Sequence, residues 1–255
     1  MDLKILGCHG GETPKHRTSS FLVGDELAID AGAVTSMLSL EEQRRIRSVL
    51  VSHPHMDHIR DLATIADNRC QQGGPPLEIV GTVATIDALK RHFFNDALWP
   101  DFSHIETPEG PTVRFRALEP EQVADVSGYR VTPVLVSHTI ETAGFVIEGK
   151  GGSLAYSGDT GPTERFWEVL NARDDLRALL MEVSFPNEQE KLAHVSGHHT
   201  PATLARELSK LRAPEELPVL LYHIKPVFQA VVERELADVD GRNLSILQLG
   251  DEFLL

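Results

Sequence analysis

Five short apolar segments of the chain each end abruptly in a histidine, an aspartate or a glutamate. The segments are VLVSHPH, VLVSHTI, LAYSGDT, LLMEVSF and VLLYHIKP, and they are spread over residues 49–226. Apolar runs of this length predict strands that are buried in a sheet. Ligand-binding and catalytic groups collect at the ends of such strands. Five endings of the same form therefore predict one polar site at a sheet edge.

β-Branched runs alternate with helical patterns along the chain. The runs predict strands at 3–6, 20–23, 27–29, 49–51, 77–80, 113–117, 129–136, 144–148, 153–157, 178–182 and 218–223. Helices are predicted to begin at Ser39, which forms a capping box with Glu42, and to occupy 57–69, 83–91, 164–172, 200–211 and 227–239. Each half has consecutive strands with helices between them, which favours an α/β fold of two sheets packed face to face.

Composition argues against several classes of protein. No apolar run approaches the ~18 residues that cross a bilayer, so we expect no membrane partner. Cys8 and Cys70 do not make a disulfide framework, which favours a reducing cytoplasm and small buried thiols. The formal net charge of −14 disfavours a long nucleic acid, because phosphate binding relies on basic surfaces. A small anion held by a metal is compatible with this charge.

The stretch HPHMDH places three histidines and one aspartate in six positions. Imidazole and carboxylate groups are the ligands that borderline divalent ions prefer. His53 and His55 lie two residues apart, so an extended turn points both to one side. Asp57 and His58 follow where a helix is expected to start. A solvated loop or a capped helix start is less favoured, because three further candidate ligands also follow strands. These are His138, Asp159 and His223.

HPHMDH matches the H-x-H-x-D-H signature of the metallo-β-lactamase fold, which the chain resembles from LGCHGG to HIKP. The resemblance implies a four-layer αβ/βα sandwich, formed by residues 1–255 as one domain, with two divalent ions at the sheet edges. The ligand sets that it implies are His53, His55 and His138 for one ion, and Asp57, His58 and His223 for the other, with Asp159 bridging. Zinc is the common metal, with manganese and iron as alternatives. Asp61 stands where many members have glycine, which puts fine geometry in question.

The second half of the chain resembles a narrower group. YSGDTGPTERFW, LLMEVSF, GHHT and LYHIKP look like the class II cyclic-nucleotide phosphodiesterases, and more loosely like the tRNA 3′-processing endonucleases. This implies hydrolysis of the 3′,5′-phosphodiester of cAMP or cGMP by a metal-activated hydroxide, and a homodimer. The endonuclease is less favoured because of the net charge and because no long Gly/Pro/basic insertion is present to grasp a tRNA. Another hydrolase of this fold, or a binding module without activity, ranks lower.

Phosphodiester hydrolysis needs a group that orients the attacking water and another that protonates the leaving oxygen. Asp57 is the candidate for the first role. His198, oriented by Glu182, is the candidate for the second, because the His-x-Thr pattern of the endonucleases selects it over His199. The competing interpretation is that both histidines of GHHT cap a helix that begins near residue 200. The candidate substrate-binding residues are Lys225 and Thr160, although Lys225 is equally compatible with a surface position.

Two further stretches allow two interpretations each. GCHGGE, which contains His9, offers backbone N–H groups to an anion or forms a tight turn between strands, and the turn is favoured. HFFNDALWPDF concentrates four aromatic residues, which suit stacking on a base but more often serve packing. These residues are Phe93, Phe94, Trp99 and Phe102.

Overall fold

The computed structural model describes all 255 residues and contains two seven-stranded sheets. In spatial order, the first sheet consists of β16 (Glu252–Leu254), β1 (Asp2–Gly7), β2 (Ser20–Val23), β3 (Leu27–Ile29), β4 (Ser48–Leu50), β5 (Leu77–Thr82) and β8 (Val113–Leu118). The second consists of β15 (Asn243–Ile246), β14 (Pro218–Tyr222), β13 (Leu176–Glu182), β12 (Gly152–Tyr156), β11 (Thr142–Gly149), β10 (Tyr129–Val136) and β9 (Ala124–Val126). A two-residue hairpin joins β6 (Glu106–Thr107) and β7 (Gly110–Pro111).

Both sheets change from antiparallel to parallel pairing. In the first sheet β16, β1, β2 and β3 pair antiparallel, and β3, β4, β5 and β8 pair parallel. In the second sheet β9 to β12 pair antiparallel, and β12 to β15 pair parallel. The carboxyl ends of parallel strands meet at one edge of a sheet. Residues that follow β12, β13 and β14 therefore lie together at one edge of the second sheet, and residues that follow β4 lie at the corresponding edge of the first sheet.

Nine α-helices connect and cover the strands. They are α1 (Val34–Met37), α2 (Leu40–Arg45), α3 (Met56–Ile59), α4 (Leu62–Gln72), α5 (Val83–His92), α6 (Arg165–Asn171), α7 (Glu190–Ser196), α8 (Pro201–Leu208) and α9 (Gln229–Leu236). The capping box predicted for Ser39 and Glu42 is present at the start of α2. None of the helices combines the length and the apolar character that a bilayer span requires.

Alternation along the strands builds three apolar layers. Ile5 and Phe21 lie between the two sheets, whereas Leu6 and Leu22, one residue further on, pack against the helices that cover the first sheet. The second sheet alternates in the same way, and its outer face packs against α6, α8 and α9. Strands buried on both faces have continuous apolar sequences. The predicted four-layer αβ/βα sandwich is therefore confirmed.

The helix predicted at 57–69 is wrong as a single element, because the structure divides it into α3 and α4 at Asp61. The Asp61 N–H donates to Ala31 O at 2.8 Å, outside the helix. The Asp61 Oδ2 accepts hydrogen bonds from the backbone and the hydroxyl of Thr35, both at 2.8 Å. The Asp61 carboxylate therefore ties the junction of α3 and α4 to α1.

Edge strands and short helices escaped the sequence patterns. β9, β15 and β16 have three or four residues and carry exposed positions, so they show no continuous apolar run. α7 has no side-chain cap hydrogen bond at its start. Helix 227–239 also begins later than predicted, because a 3₁₀ turn, Pro226–Phe228, precedes α9.

The aromatic cluster belongs to the core. Phe93, Phe94 and Phe102 are buried between the first sheet and its helices, and Trp99 packs against them. The Trp99 indole N–H donates to Ala63 O at 3.1 Å. Packing is therefore the interpretation of HFFNDALWPDF that the structure supports.

Candidate metal centre

The polar strand ends converge at the shared edge of the two sheets. His53 follows β4, and His55 is the residue before α3, whose first turn carries Asp57. His138 follows β10, and Asp159 follows β12. His58 also lies on α3, and His223 follows β14 with a positive φ of 71°. All seven predicted ligands lie in two groups of neighbouring side chains.

The first group consists of three imidazoles. His53 Nε2 lies 3.0 Å from His55 Nδ1, and His138 Nε2 lies 3.3 Å from the same nitrogen. His53 is fully buried, and the other two are half-buried. Three ring nitrogens that face each other at this distance form the donor set that a divalent ion prefers.

The second group surrounds the carboxylate of Asp159. Asp159 Oδ2 lies 3.2 Å from His58 Nε2 and 3.3 Å from His223 Nε2. His223 Nε2 also lies 3.2 Å from Asp57 Oδ2. The same Asp159 oxygen is 3.7 Å from His53 Nε2 of the first group. Asp159 thus lies between the two groups.

These residues fit divalent metal ions. The ligand atoms of each group lie within 4.8 Å of one another, close to the ~3–4 Å that separates ligands bound about 2.1 Å from one ion. Asp159 Oδ1 is buried without a hydrogen-bond partner. A buried carboxylate oxygen without a partner is costly, and a cation removes that cost.

The electrostatics of the centre favour positive charge beside ionised carboxylates. Burial alone would raise the pKa of Asp159, but His223 and His58 outweigh burial and hold the pKa well below its usual range. Burial alone would lower the pKa of His58, but Asp159 and Asp30 raise it well above its ordinary value. Burial, with the adjacent His58, holds the pKa of His53 well below its ordinary value. His53 is therefore a neutral imidazole that is able to donate a lone pair.

Each histidine that presents Nε2 to the centre has a partner for its other nitrogen. The four Nδ1 partners are Ser52 Oγ at 3.0 Å for His53, Asp30 Oδ2 at 2.6 Å for His58, Gly197 O at 2.9 Å for His138 and Ser184 Oγ at 2.8 Å for His223. Outer hydrogen bonds of this kind fix the ring and the tautomer of metal-binding histidines.

Asp30 is a residue of the centre that the sequence patterns missed. It is fully buried and accepts hydrogen bonds from His58 Nδ1, the Tyr156 hydroxyl, and the backbone and hydroxyl of Ser52. The signal was present, because LAID is another apolar segment that ends in a carboxylate. The strand before it has only three residues, which is too short to stand out as a buried run.

His198 and Glu182 form the pair that the sequence predicts. His198 Nδ1 lies 3.1 Å from Glu182 Oε1, and its ring stacks on that of His223 with centroids 5.1 Å apart. Burial, with the nearby charge of Asp159, raises the pKa of the fully buried Glu182 to about 7. Burial also lowers the pKa of His198, and the charge of Lys225 lowers it further. Glu182 orients His198 beside both ligand groups.

The second histidine of GHHT has a different environment. His199 Nδ1 lies 3.1 Å from the Thr203 hydroxyl, and its carbonyl accepts from Ser184 N–H at 2.9 Å. Thr200 is the residue that caps α8, in a capping box with Thr203. Helix capping therefore accounts for Thr200, and only His198 faces the centre.

Thr160 lies directly after Asp159, and its contact with a substrate stays a prediction. Its side chain is fully buried, and its hydroxyl donates to Gly161 O at 2.7 Å and accepts from Ser137 N–H at 3.2 Å. The Thr160 backbone N–H donates to Glu182 Oε1 at 3.3 Å, so Thr160 supports the carboxylate that orients His198.

Lys225 lies at the edge of the centre with a partly buried side chain. Its Nζ donates to Gly10 O at 3.0 Å and lies 5.7 Å from the centre of the Phe185 ring. One hydrogen-bond partner leaves two of the three ammonium protons for other acceptors. A phosphate contact by Lys225 stays a prediction.

The GCHGGE stretch forms a turn that packs against the second group. A Cβ at Gly10 would lie 2.4 Å from His223 O, so only glycine allows this approach. The His223 N–H donates to Cys8 O at 2.7 Å. Burial, with the adjacent His16, lowers the pKa of His9 to about 4. The turn is thus a support for His223.

A family model described as a beta-lactamase superfamily domain matches residues 29–224 of the chain. The chain belongs to this superfamily. The matched range includes Asp30 and all seven candidate ligands, and the predicted resemblance is confirmed. Whether each candidate ligand binds a metal stays a prediction.

Relatives within the beta-lactamase superfamily carry two kinds of name. A Yersinia pestis protein named probable 3′,5′-cyclic-nucleotide phosphodiesterase is 28% identical over 305 residues, which cover 99% of this chain and 84% of that protein. A ribonuclease Z of Kineococcus radiotolerans is 29% identical over 199 residues, which cover 72% of this chain and 60% of that protein. The crystal structure of unliganded yeast PDE1 superimposes with a TM-score of 0.84 at 21% identity, covering 100% and 99% of the two chains. This last similarity shows the shared fold.

Proposed function

We propose that the chain is a phosphodiesterase that uses two divalent ions, zinc ahead of manganese or iron, to hydrolyse the 3′,5′-phosphodiester of a small cyclic nucleotide such as cAMP or cGMP. The observation that carries the proposal is the position of Asp159. Its Oδ2 lies 3.2, 3.3 and 3.7 Å from histidine nitrogens that belong to both ligand groups. A carboxylate in this position is the usual bridge between two ions ~3.5–4 Å apart.

The chain divides the work of the centre between ligands and orienting groups. His53, His55 and His138 would hold one ion and Asp57, His58 and His223 the other, with Asp159 shared. Ions held there would neutralise phosphate oxygens and generate hydroxide from water near neutral pH. Burial alone would raise the pKa of Asp57, but the adjacent His223 and His58 outweigh burial and hold the pKa far below its usual range. Asp57 therefore stays ionised and orients the attacking water by accepting a hydrogen bond.

We assign the protonation of the leaving 3′ oxygen to His198. Its Nδ1 faces Glu182 Oε1 at 3.1 Å, which leaves Nε2 for the substrate. The side chain is only 8% exposed, and its ring stacks on that of the candidate ligand His223. The negative charge of a bound phosphate favours the protonated imidazole, although burial disfavours it. General acids of this kind contribute about 10²–10⁴-fold to the rate.

A small substrate is proposed for two reasons. The relative from Yersinia pestis, which matches 99% of this chain, is named a probable 3′,5′-cyclic-nucleotide phosphodiesterase. The net charge of −14 opposes a polyanion such as a tRNA precursor. The name ribonuclease Z of another relative makes a tRNA 3′-processing activity the second candidate.

Several accompanying features are proposed with the function. We propose that residues 1–255 act as one domain, since side chains of both sheets share the central apolar layer. The homodimer is proposed from the family resemblance. A cytoplasmic location is proposed because Cys8 and Cys70 are free thiols.

A substrate panel tests the proposal. The zinc-loaded or manganese-loaded protein is offered 3′,5′-cAMP, 3′,5′-cGMP, 2′,3′-cAMP, bis-p-nitrophenyl phosphate and a precursor tRNA. We expect turnover of the 3′,5′-cyclic nucleotides, with a nucleoside 5′-monophosphate as product. Turnover of the tRNA without turnover of the cyclic nucleotides would replace the proposal with the endonuclease.

The His198→Ala variant tests the assignment of the acid. We expect kcat to fall about 10²–10⁴-fold while bound metal stays at the wild-type level. His194→Ala is the matched control, because His194 is an exposed histidine four residues earlier on α7. Full activity of His198→Ala would remove His198 from the reaction.

A further inference from the structure

Ser52 lies between a carboxylate and a histidine of the first ligand group. Its Oγ is 2.8 Å from Asp30 Oδ2 and 3.0 Å from His53 Nδ1. All three side chains are fully buried, so water does not compete for these hydrogen bonds.

Ser184 has the same arrangement in the second sheet. Its Oγ is 3.0 Å from Glu182 Oε2 and 2.8 Å from His223 Nδ1, and these three residues are also fully buried. Longer contacts of 3.2 Å to His223 O and 3.3 Å to His198 Nδ1 complete its surroundings. The backbone fixes Ser184 from both sides, because its N–H donates to His199 O and its carbonyl accepts from Lys225 N–H.

Counting protons sets the direction of both hydrogen-bond chains. The Ser52 hydroxyl donates to Asp30 Oδ2 and the Ser184 hydroxyl donates to Glu182 Oε2, and a serine hydroxyl has only this one proton. When that proton is donated to the carboxylate, the serine oxygen accepts from the histidine Nδ1–H. The ring proton is then fixed on Nδ1, and Nε2 presents its lone pair to the centre. His53 Nε2 and His223 Nε2 do face the two ligand groups.

Each carboxylate also holds a second histidine directly. Asp30 Oδ2 lies 2.6 Å from His58 Nδ1, and Glu182 Oε1 lies 3.1 Å from His198 Nδ1. Asp30 therefore acts on one ligand of each group. Glu182 connects a metal ligand, through Ser184, with the candidate acid.

We propose that Ser52 and Ser184 are positioning residues that fix the tautomer and the ring orientation of His53 and His223 by linking each ring Nδ1 to Asp30 or Glu182 through a hydrogen bond. This inference rests on the proposed function for the assignment of these histidines as metal ligands. It assigns a role to the serine that precedes His53 in VSHPH and to the serine of MEVSF.

Zinc affinity measured without substrate tests the proposal. Metal-free wild type, Ser52→Ala and Ser184→Ala are titrated with Zn²⁺ in competition with a chromogenic chelator. We expect each variant to bind one of two zinc ions about 10–100-fold more weakly than wild type, as is typical when a group that supports a metal ligand is removed. Ser153→Ala is the matched control, because the buried Ser153 hydroxyl donates to Asp175 Oδ1 at 3.2 Å near the start of β12 and far from the centre.

Double variants separate a hydrogen-bond link from general loosening. Ser184→Ala added to Glu182→Gln should cause less than a twofold further loss of zinc affinity, because both changes interrupt one hydrogen-bond chain. Ser184→Ala and Ser52→Ala should lower the affinities for different ions. Excess zinc should restore much of kcat to the serine variants and should not restore it to His198→Ala.

Three results would overturn the proposal. The first is a zinc affinity within twofold of wild type in both serine variants. The second is a lower melting temperature of the metal-free variants without a change in zinc affinity, and the third is an equal loss of zinc affinity in Ser153→Ala. If Ser184→Ala does not fold without metal, the Ser52→Ala titration decides. The titrations need no substrate, so an absence of cyclic-nucleotide hydrolysis would refute the proposed function and leave this inference to its own test.

Discussion

Replacement of Asp30 by asparagine should strongly destabilise the fold and the metal centre. Asp30 accepts four hydrogen bonds in a fully buried position: from His58 Nδ1 at 2.6 Å, from the Tyr156 hydroxyl at 2.5 Å, and from the backbone and hydroxyl of Ser52 at 2.8 Å each. Asparagine keeps one acceptor oxygen. With that oxygen at the Oδ2 position it loses only the bond from the Ser52 N–H, and in the other orientation it loses the three bonds at Oδ2.

The magnitude follows from these bonds. Hydrogen bonds to a charged group contribute roughly 1.5–3 kcal/mol each, so the less costly orientation, with one lost bond, lowers the free energy of unfolding by about 1.5–3 kcal/mol. Native proteins of ordinary stability have about 5–15 kcal/mol in total. The carboxylate also orients His58, and its loss should weaken metal binding about 10–100-fold.

Urea unfolding of the metal-free protein measures the change without a contribution from metal binding. Asp25→Asn is the matched control, because the Asp25 side chain is 70% exposed and lies 3.7 Å from Arg45. Such a surface ion pair contributes about 0–1 kcal/mol. If Asp30→Asn lost less than about 1 kcal/mol, the hydrogen bonds of Asp30 would not organise the centre as inferred from the structure.

Three other parts of the structure give predictions of their own. Burial, with the charge of Asp251, raises the pKa of Cys8 to about 12. At pH 8 iodoacetamide should therefore modify the partly exposed Cys70 and spare Cys8. Equal modification of both cysteines in the folded protein, measured by mass spectrometry, would contradict this prediction. Gly10→Ala places a Cβ 2.4 Å from His223 O and should lower kcat at least about 10-fold. Gly11→Ala is the control and should retain most activity, because its Cβ would meet a Pro226 side-chain carbon at 3.2 Å. Equal rates of the two variants would refute the close packing of Gly10 against His223. Trp167→Phe removes the indole N–H that donates to the buried Glu207 at 2.7 Å and should cost about 1–3 kcal/mol in urea unfolding, so an unchanged midpoint would show that this bond contributes nothing.

The sequence was informative where a local pattern carries the information. A buried strand is an apolar run, and a polar residue directly after it is visible without knowledge of the fold. The positions of His53, His138, Asp159 and His223 at the converging strand ends were predicted in this way, and the structure brings them together.

Contacts between distant residues were not predictable from such patterns. Asp61 pairs with Thr35, 26 residues away, and Ser184 pairs with His223, 39 residues away. Nothing in a single sequence distinguishes these hydroxyls and carboxylates from solvated ones. The hydrogen bond from the Thr160 backbone N–H to Glu182, 22 residues away, is of the same kind.

A zinc titration of activity tests the two-ion centre most directly. Metal-free protein at a known concentration receives increasing Zn²⁺, and the rate of 3′,5′-cAMP hydrolysis is measured at each step. With both ligand groups in use and Asp159 shared, the rate should rise to a plateau at two equivalents of zinc per chain. A plateau at one equivalent, or a rate that does not depend on added metal, would contradict a dinuclear phosphodiesterase.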